Sequence, residues 1–282
     1  MIRIEKISSF DAPELRPYAT MRRPVEHEVQ GIFVAEGEKV VRRLLESRFT
    51  VISAVFWERW LDDFRPLLDA RPENIAVYLA EKEWLETLTG FTMFQGVLAV
   101  GKIPNPVSLE AVLQTASSPR LFAAVDGLTS SENLGALVRN CGAFNVQALL
   151  VGETSTSPYL RRAVRNSMGA IFDLPVVELG KSATETAANK KLTDALQCLR
   201  RQGVRCIAAH PRGGKILHEA DFSKDCCVVF GSEGAGISEA VLNCCDESVS
   251  IPMPDKVDSL NVGAAAAVFL YEASRQRKTR LG

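Results

Sequence analysis

Arg139 stands between Gly135 and Gly142 in the stretch LTSSENLGALVRNCGAF. At helical spacing the three share one face, and an arginine with a glycine one turn away on either side presents its guanidinium on open ground, suited to a planar anion such as phosphate. The plainer alternative is a surface arginine. A second stretch, CCVVFGSEGAGIS, places a glycine-rich turn between a buried strand and a helix, with Glu233 at the turn. This is the position of a nucleotide-binding loop, but from Gly231 the order is G-x-x-G-x-G and no phosphate-loop lysine follows, so the glycines alone define no ligand. Glu233 could cap the next helix, hold a neighbouring loop or act on substrate. The third stretch, IPMPDKVDSLNVGAAAAVFLY, starts at Ile251 and stops a short strand at two prolines. It passes Ser259 and Asn261 into a helix; a strand end, a turn and a helix N-terminus together offer free backbone N–H and C=O groups to a small polar ligand.

These residues need strand ends and helix starts to hold them. Thr129 and Glu132 have the spacing of a capping box. Leu134, Leu137, Val138 and Cys141 form the apolar stripe of the helix that follows, which leaves Asn133, Arg139 and Asn140 off it. For the last helix, Asp258 or Ser259 is the expected N-cap, and Leu260, Ala264, Ala267, Val268 and Tyr271 form the expected 3.6-period stripe, with Gly263 and the alanines allowing close approach to another backbone.

From Leu121 onward the runs LFAAV, ALLV, LPVVEL, VRCIAA, CCVVF and SVSI read as strands buried on both faces. Helical stretches at 133–144, 158–168, 190–201 and 237–245 alternate with them. The pattern predicts an α/β domain with a parallel sheet and a ligand site at the carboxyl ends of its strands. The first hundred residues predict a small α/β domain, with strands at 31–35, 51–57, 75–80 and 96–100 and helices near 38–48, 59–70 and 82–88. It holds all three tryptophans, Trp57, Trp60 and Trp84, read as core. The stretch KIPNPVSLEAVLQTASSPR reads as a linker with room for one helical turn, which sets domains at 1–101 and 120–282 around a linker at 102–119.

A chain of 282 residues, 46% hydrophobic and 24% charged, has the composition of a soluble globular protein of about two domains. No apolar run approaches the ~18 residues of a membrane span, and MIRIEKISSF carries charge where a signal peptide is apolar, so a cytoplasmic location is expected. The seven cysteines, among them Cys226-Cys227 and Cys244-Cys245, lack CxxC or Cys/His ligand spacing and read as reduced core residues; no metal is expected. A net charge of −1 argues against strong non-specific nucleic-acid binding. Basic clusters at Arg22-Arg23, Arg42-Arg43, Arg161-Arg162 with Arg165, and Arg275, Arg277, Lys278 and Arg280 could still form a phosphate-binding stripe, or simply solvated helix faces. His210, ahead of Pro211 and Gly213-Gly214, reads as a turn residue.

Taken together, DGLTSSENLGALVRNCGAF, SMGAIFDLPV, VVFGSEGAGIS and SIPMPDKVDSLNVGAAAAVFLYE resemble, in order and spacing, the SpoU (TrmH-type) branch of the SPOUT RNA methyltransferases, over residues 121–273. RRPVEHEVQGIFVAEGEKVVRRLLES, with FQGVLAV, is similar to the ribosomal-protein-like substrate-binding domain that often precedes that branch. The resemblance implies transfer of a methyl group from S-adenosylmethionine to a ribose 2′-hydroxyl of rRNA or tRNA, rRNA being mildly favoured by the separate N-terminal module. It also implies a C-terminal trefoil knot, and a homodimer in which the first motif of one subunit faces the cofactor of the other. Carried over residue by residue, it makes Arg139 the catalytic arginine, with Asn133, Glu233, Ser259 and Asn261 as the other polar motif residues. Backbone around Gly231, Ile251, Met253 and Leu260 would hold the adenosine. The chain departs from the family in having Ser-Glu where Asp-Pro often precedes the motif asparagine, and Ser232 where asparagine is common. Two alternatives compete: a non-catalytic RNA-binding protein that keeps the fold, and a nicotinamide-dependent Rossmann oxidoreductase, which would want its glycine motif after the first strand.

Overall fold

The computed structural model describes residues 2–89, 96–180, 191–254 and 256–278. In chain order the elements of the first part are β1 (Arg3–Lys6), α1 (Arg16–Ala19), α2 (Pro24–Gln30), β2 (Ile32–Glu36), α3 (Glu38–Glu46), β3 (Val51–Trp57), α4 (Leu61–Asp69), β4 (Ala76–Ala80), α5 (Lys82–Thr89) and β5 (Val97–Lys102). There follow α6 (Leu109–Thr115), β6 (Leu121–Asp126), α7 (Ser131–Ala143), β7 (Ala148–Val151), α8 (Arg161–Asn166), β8 (Val176–Glu178) and α9 (Leu192–Arg201). The chain ends with β9 (Arg205–Ala209), β10 (Lys215–Ile216), β11 (Cys226–Gly231), α10 (Glu239–Leu242), β12 (Glu247–Ser250) and α11 (Val262–Lys278). Two compact units result: Met1–Asn105 with Tyr159–Asp173, and Pro106–Pro158 with Leu174–Gly282.

The first unit is built on a mixed sheet of order β1-β4-β3-β5-β2, in which β5 runs antiparallel to both neighbours. Every element expected there is present within a few residues. β1, α1 and α2 have no clear sequence signal: β1 is a charged, largely exposed edge strand, and the two helices carry a proline at their second and first positions respectively and have no side-chain cap. The segment Tyr159–Asp173, inside the stretch 120–282 assigned to one domain from sequence, packs with this unit. Tyr159 and Phe172 join Phe33 and Phe49 in an aromatic cluster with centroids 5.3–6.3 Å apart, and Arg161 and Arg165 both pair with the buried Glu36.

The tryptophans divide: Trp57 is partly buried against the first unit's core and Trp60 packs on Phe64, whereas Trp84 lies at the surface. Trp84 is 45% exposed, and the guanidinium of Arg59 lies 4.7 and 4.6 Å from the rings of Trp57 and Trp60, an amphipathic use of indole at a surface. Several residues of the basic clusters are already paired. Besides the two arginines on Glu36, Arg275 is bound to Glu272, and Arg277 donates to the carbonyls of Phe222, Pro119, Arg120 and Lys224. Arg280 lies outside the described residues.

The second unit is a parallel seven-stranded sheet of order β10-β12-β9-β11-β6-β7-β8. All six expected strands are there. Its centre, β6 and β11, is buried almost end to end, as continuous apolar runs require. The stretch read as a linker contains α6, capped by the Ser108 hydroxyl, which accepts from Ala111 N. The helix expected from Lys190 begins at Leu192; Lys190 lies outside the described residues.

α11 corrects the sequence reading in phase. Val262, Ala266, Phe269, Leu270 and Ala273 are buried, while Val268 and Tyr271 of the expected stripe are 38% and 59% exposed. A helix apolar on nearly all sides satisfies the 3.6-residue period on two faces at once. The face carrying Phe269 takes the core because its ring meets Phe222 and Phe230 edge-on, at 6.2 and 5.9 Å.

Candidate active site

Three junctions at the carboxyl ends of β6, β11 and β12 build the site. β6 ends on Asp126, and the left-handed Gly127 (φ +64°) turns the chain towards α7. The cap of α7 is Ser130, whose hydroxyl accepts from Asn133 N at 3.3 Å, rather than the Thr129/Glu132 box. Asn133 therefore sits in the first helical turn. The nearly buried carboxylate of Asp126 accepts from Ser238 N at 2.7 Å and ties this junction to the next.

β11 ends at Gly231, where a Cβ would lie 2.2 Å from the carbonyl carbon of Gly236. The loop folds back that tightly because Ser232 and Gly236 exchange two backbone hydrogen bonds of 3.0 Å. Glu233 is carried at its tip. It does not cap α10; it holds a neighbouring loop.

That loop is the approach to α11, whose cap is Asn261 and not Asp258 or Ser259. Asn261 Oδ1 accepts from Gly263 N (2.9 Å) and Ala264 N (3.4 Å). Spending the oxygen on the cap settles which way the amide faces. Its Nδ2 then donates to Glu233 Oε1 at 2.7 Å and to Asn133 Oδ1 at 3.0 Å. The same logic passes to Asn133: with Oδ1 accepting, its Nδ2 is left to donate elsewhere. A second tie, Asn140 Nδ2 to Gly263 O at 2.7 Å, clamps α7 to the start of α11, where a Cβ on Gly263 would stand 3.1 Å from that of Ala136.

A cavity of about 430 Å³ opens between the loops after β9, β11 and β12. Gly231, Glu233, Ile251, Met253, Ser259 and Leu260 all line it. Arg139 is exposed on α7 and is not part of that lining.

The model of the SpoU rRNA Methylase family matches residues 120–271. The chain belongs to the SpoU rRNA methylase family. Membership makes it an RNA methyltransferase and removes the Rossmann oxidoreductase alternative. This SpoU methylase is 32% identical to an uncharacterized tRNA/rRNA methyltransferase of Mycobacterium tuberculosis, over 96% of this chain and 92% of that protein. It resembles the SpoU methyltransferase AviRb from Streptomyces viridochromogenes in complex with the cofactor AdoMet, with a TM-score of 0.79 and 25% identity over 95% of this chain and 100% of AviRb. A structure described as an RNA 2′-O ribose methyltransferase is similar at TM-score 0.79 and 25% identity, over 97% of this chain and 100% of that one.

In this SpoU methylase, then, eight of the nine residues singled out from sequence stand on the joined junctions: six at the cavity wall, and Asn133 and Asn261 bonded to each other and, through Asn261, to Glu233. Arg139 stands apart. In the sequence Asp126 carries only the signal of a carboxylate closing an apolar strand ahead of a glycine, and Asn140 only that of a residue off the stripe. His210, read from the sequence as a turn residue, is in a turn, and it lines the cavity with Arg212.

Proposed function

We propose that this SpoU methylase transfers the methyl group of S-adenosylmethionine to a ribose 2′-hydroxyl of RNA. The observation that carries the reading is the Asn133–Asn261–Glu233 hydrogen-bonded set, joined through Glu233 to a cavity with Gly231, Ile251, Met253 and Leu260 in its wall. Those residues suit the donor: bare backbone at Gly231 allows close approach, Ile251, Met253 and Leu260 give apolar contact for an adenine, and the volume is in the range of small-ligand sites. When bound, the donor supplies a sulfonium methyl that is already electrophilic, so the protein's task is alignment of the attacking hydroxyl.

Asn133 Nδ2, left to donate once Oδ1 accepts from Asn261, is the donor for the substrate ribose or phosphate. Arg139 acts as a positioning and electrostatic group, because a guanidinium with a pKa above ~12 is a poor general base. Methyl incorporation from labelled donor into RNA tests the activity, and its absence from every RNA offered would favour the non-catalytic alternative. At saturating RNA, Arg139→Lys is expected to lose at least about tenfold in kcat, since a point charge cannot replace the planar fork; full methylation would remove the need for a guanidinium.

The homodimer draws support from two features. Val268 and Tyr271 leave an apolar face on α11, with the Phe144 ring 6.3 Å from that of Tyr271, and Arg139 stands outside its own chain's cavity wall, as a residue serving a partner would. A monomer in sedimentation, or failure of an Arg139→Ala and a Gly231→Ala chain to complement when mixed, would count against it. The trefoil knot draws support from the return of α11, after the outlying β12, across β11 to α7. For the first unit we favour recognition of structured rRNA over tRNA. Ribose-methylation mapping of total RNA with and without the protein decides between them. A reducing cytoplasm suits seven free cysteines, of which burial pushes the Cys245 thiol up to about 12.

A further inference from the structure

The donor reading deals with the adenosine end of the cavity and leaves the turn after β9 without a task. That turn is held from four directions. His210 N donates to Val249 O at 2.9 Å, Gly213 N to His210 O at 3.0 Å, Gly214 N to Ser248 Oγ at 3.0 Å, and Arg212 N to His210 Nδ1 at 3.1 Å. A Cβ on Gly213 would meet the Val249 carbonyl carbon at 2.5 Å, so the turn lies flat on β12. Such a short turn, pinned by so many bonds, presents its side chains with little freedom.

Two residues of that turn, His210 and Arg212, line the cavity. Arg212 N donates to Nδ1, so Nδ1 is bare and the neutral ring carries its proton on Nε2 as a donor. Arg212 is the one cation among the described lining residues, against the carboxylates of Glu233 and Asp258. It has no hydrogen-bond or ion-pair partner for its side chain among the described residues. In strand order β9 lies between β12 and β11, so the turn after β9 borders the cavity between the loop that carries Ile251 and Met253 and the Glu233 loop.

We propose that Arg212, assisted by His210 Nε2–H, clamps the α-carboxylate at the amino-acid end of the methyl donor. This rests on the donor-site reading above and adds to it the group that orients the sulfonium tail. A guanidinium fork with an imidazole N–H matches a carboxylate and nothing else on that ligand.

The test is calorimetric titration of the full chain with four probes: S-adenosylmethionine, S-adenosylhomocysteine, the decarboxylated donor S-adenosylmethioninamine, and 5′-methylthioadenosine, which lacks the whole amino-acid end. Arg212→Ala is expected to weaken the two carboxylate-bearing ligands by about tenfold or more while leaving the other two within about twofold, with Arg212→Lys recovering part of the loss. Equal weakening of all four, or no weakening of the first two, overturns the clamp while the donor site stands. A wild-type chain that binds none of the four overturns the donor site and the clamp with it. Thermal melting of each variant separates loss of the clamp from loss of the fold.

Discussion

Asn261 has two jobs on one amide: its oxygen caps α11 and its nitrogen joins Glu233 to Asn133. Asn261→Asp separates them. Aspartate is as good an N-cap as asparagine and adds a favourable charge at a helix N-terminus, so the cap itself should lose nothing. Where Nδ2 donated at 2.7 Å to a carboxylate, however, an anionic oxygen now faces it. The lost charge-assisted hydrogen bond is about 1.5 kcal/mol, and two unit charges about 3 Å apart in a water-like dielectric repel by about 1.4 kcal/mol. Because the pair is exposed, Glu233 can swing away and relieve part of this. About 2 kcal/mol should remain, or about 30-fold in kcat/KM. Asn261→Ser keeps a capping oxygen and deletes the nitrogen without adding charge, so it should lose less, about tenfold. The assay is methyl transfer to RNA, paired with thermal melting, in which the bridge's loss of about 2 kcal/mol corresponds to a fall of about 4–8 °C in the Asp variant. Retention of activity within threefold by the Asp variant would refute the bridge; equal losses in both variants would refute its electrostatic part; a fall in melting temperature beyond about 8 °C would show that the cap had not been preserved.

Gly231→Ala places a methyl 2.2 Å from backbone that cannot step aside, so the fold-back of the Glu233 loop must open. Overpacking of this kind costs about 1–3 kcal/mol, and donor binding by calorimetry should drop at least about tenfold; unchanged binding would mean that the loop closes without the glycine. Glu36, 3% exposed, faces the largely buried guanidinium of Arg161, so Glu36→Ala removes its buried counter-charge and should destabilise the first unit by about 3–5 kcal/mol in urea unfolding; a loss under about 1 kcal/mol would contradict this. The guanidinium of Arg71, which also donates to the carbonyls of Leu45, Ser47 and Phe49, holds the Glu73 carboxyl below the usual carboxylate range. A carboxyl depressed by folding stabilises above its unfolded value, about 4.3, and loses that contribution as pH falls through the folded value. Denaturation midpoints should therefore decline from pH 5 towards pH 3, and Glu73→Gln should flatten that decline; an unaltered pH profile would exclude Glu73 as a source.

How far the sequence was legible depends on how many partners each feature needs. Strands of the second unit were readable because a strand covered on both faces is apolar throughout, whatever its neighbours. The four-stretch motif pattern was readable for a similar reason: each stretch is a local strand end, turn and helix start. Caps were less so. Ser130 and Asn261 each compete with a good capping residue a position or two away, and the choice falls to where the helix axis must point. The edge strand β1 carried no signal because its pairing with β4, and not its own side chains, makes it a strand.

Residue types and spacing by themselves determined the α/β class and the parallel sheet, and the resemblance of four stretches to the SpoU family added the family and the interest of Asn133, Glu233, Asn261 and Gly231. Only the tertiary structure decided that Asn133, Glu233 and Asn261 form one hydrogen-bonded set, that α11 buries the Phe269 face rather than the Tyr271 face, that Tyr159–Asp173 packs with the first unit, and that His210 and Arg212 line the cavity. Each of those outcomes is a contact between segments distant in the chain, and a contact of that kind depends on which of two locally equivalent faces finds the better partner.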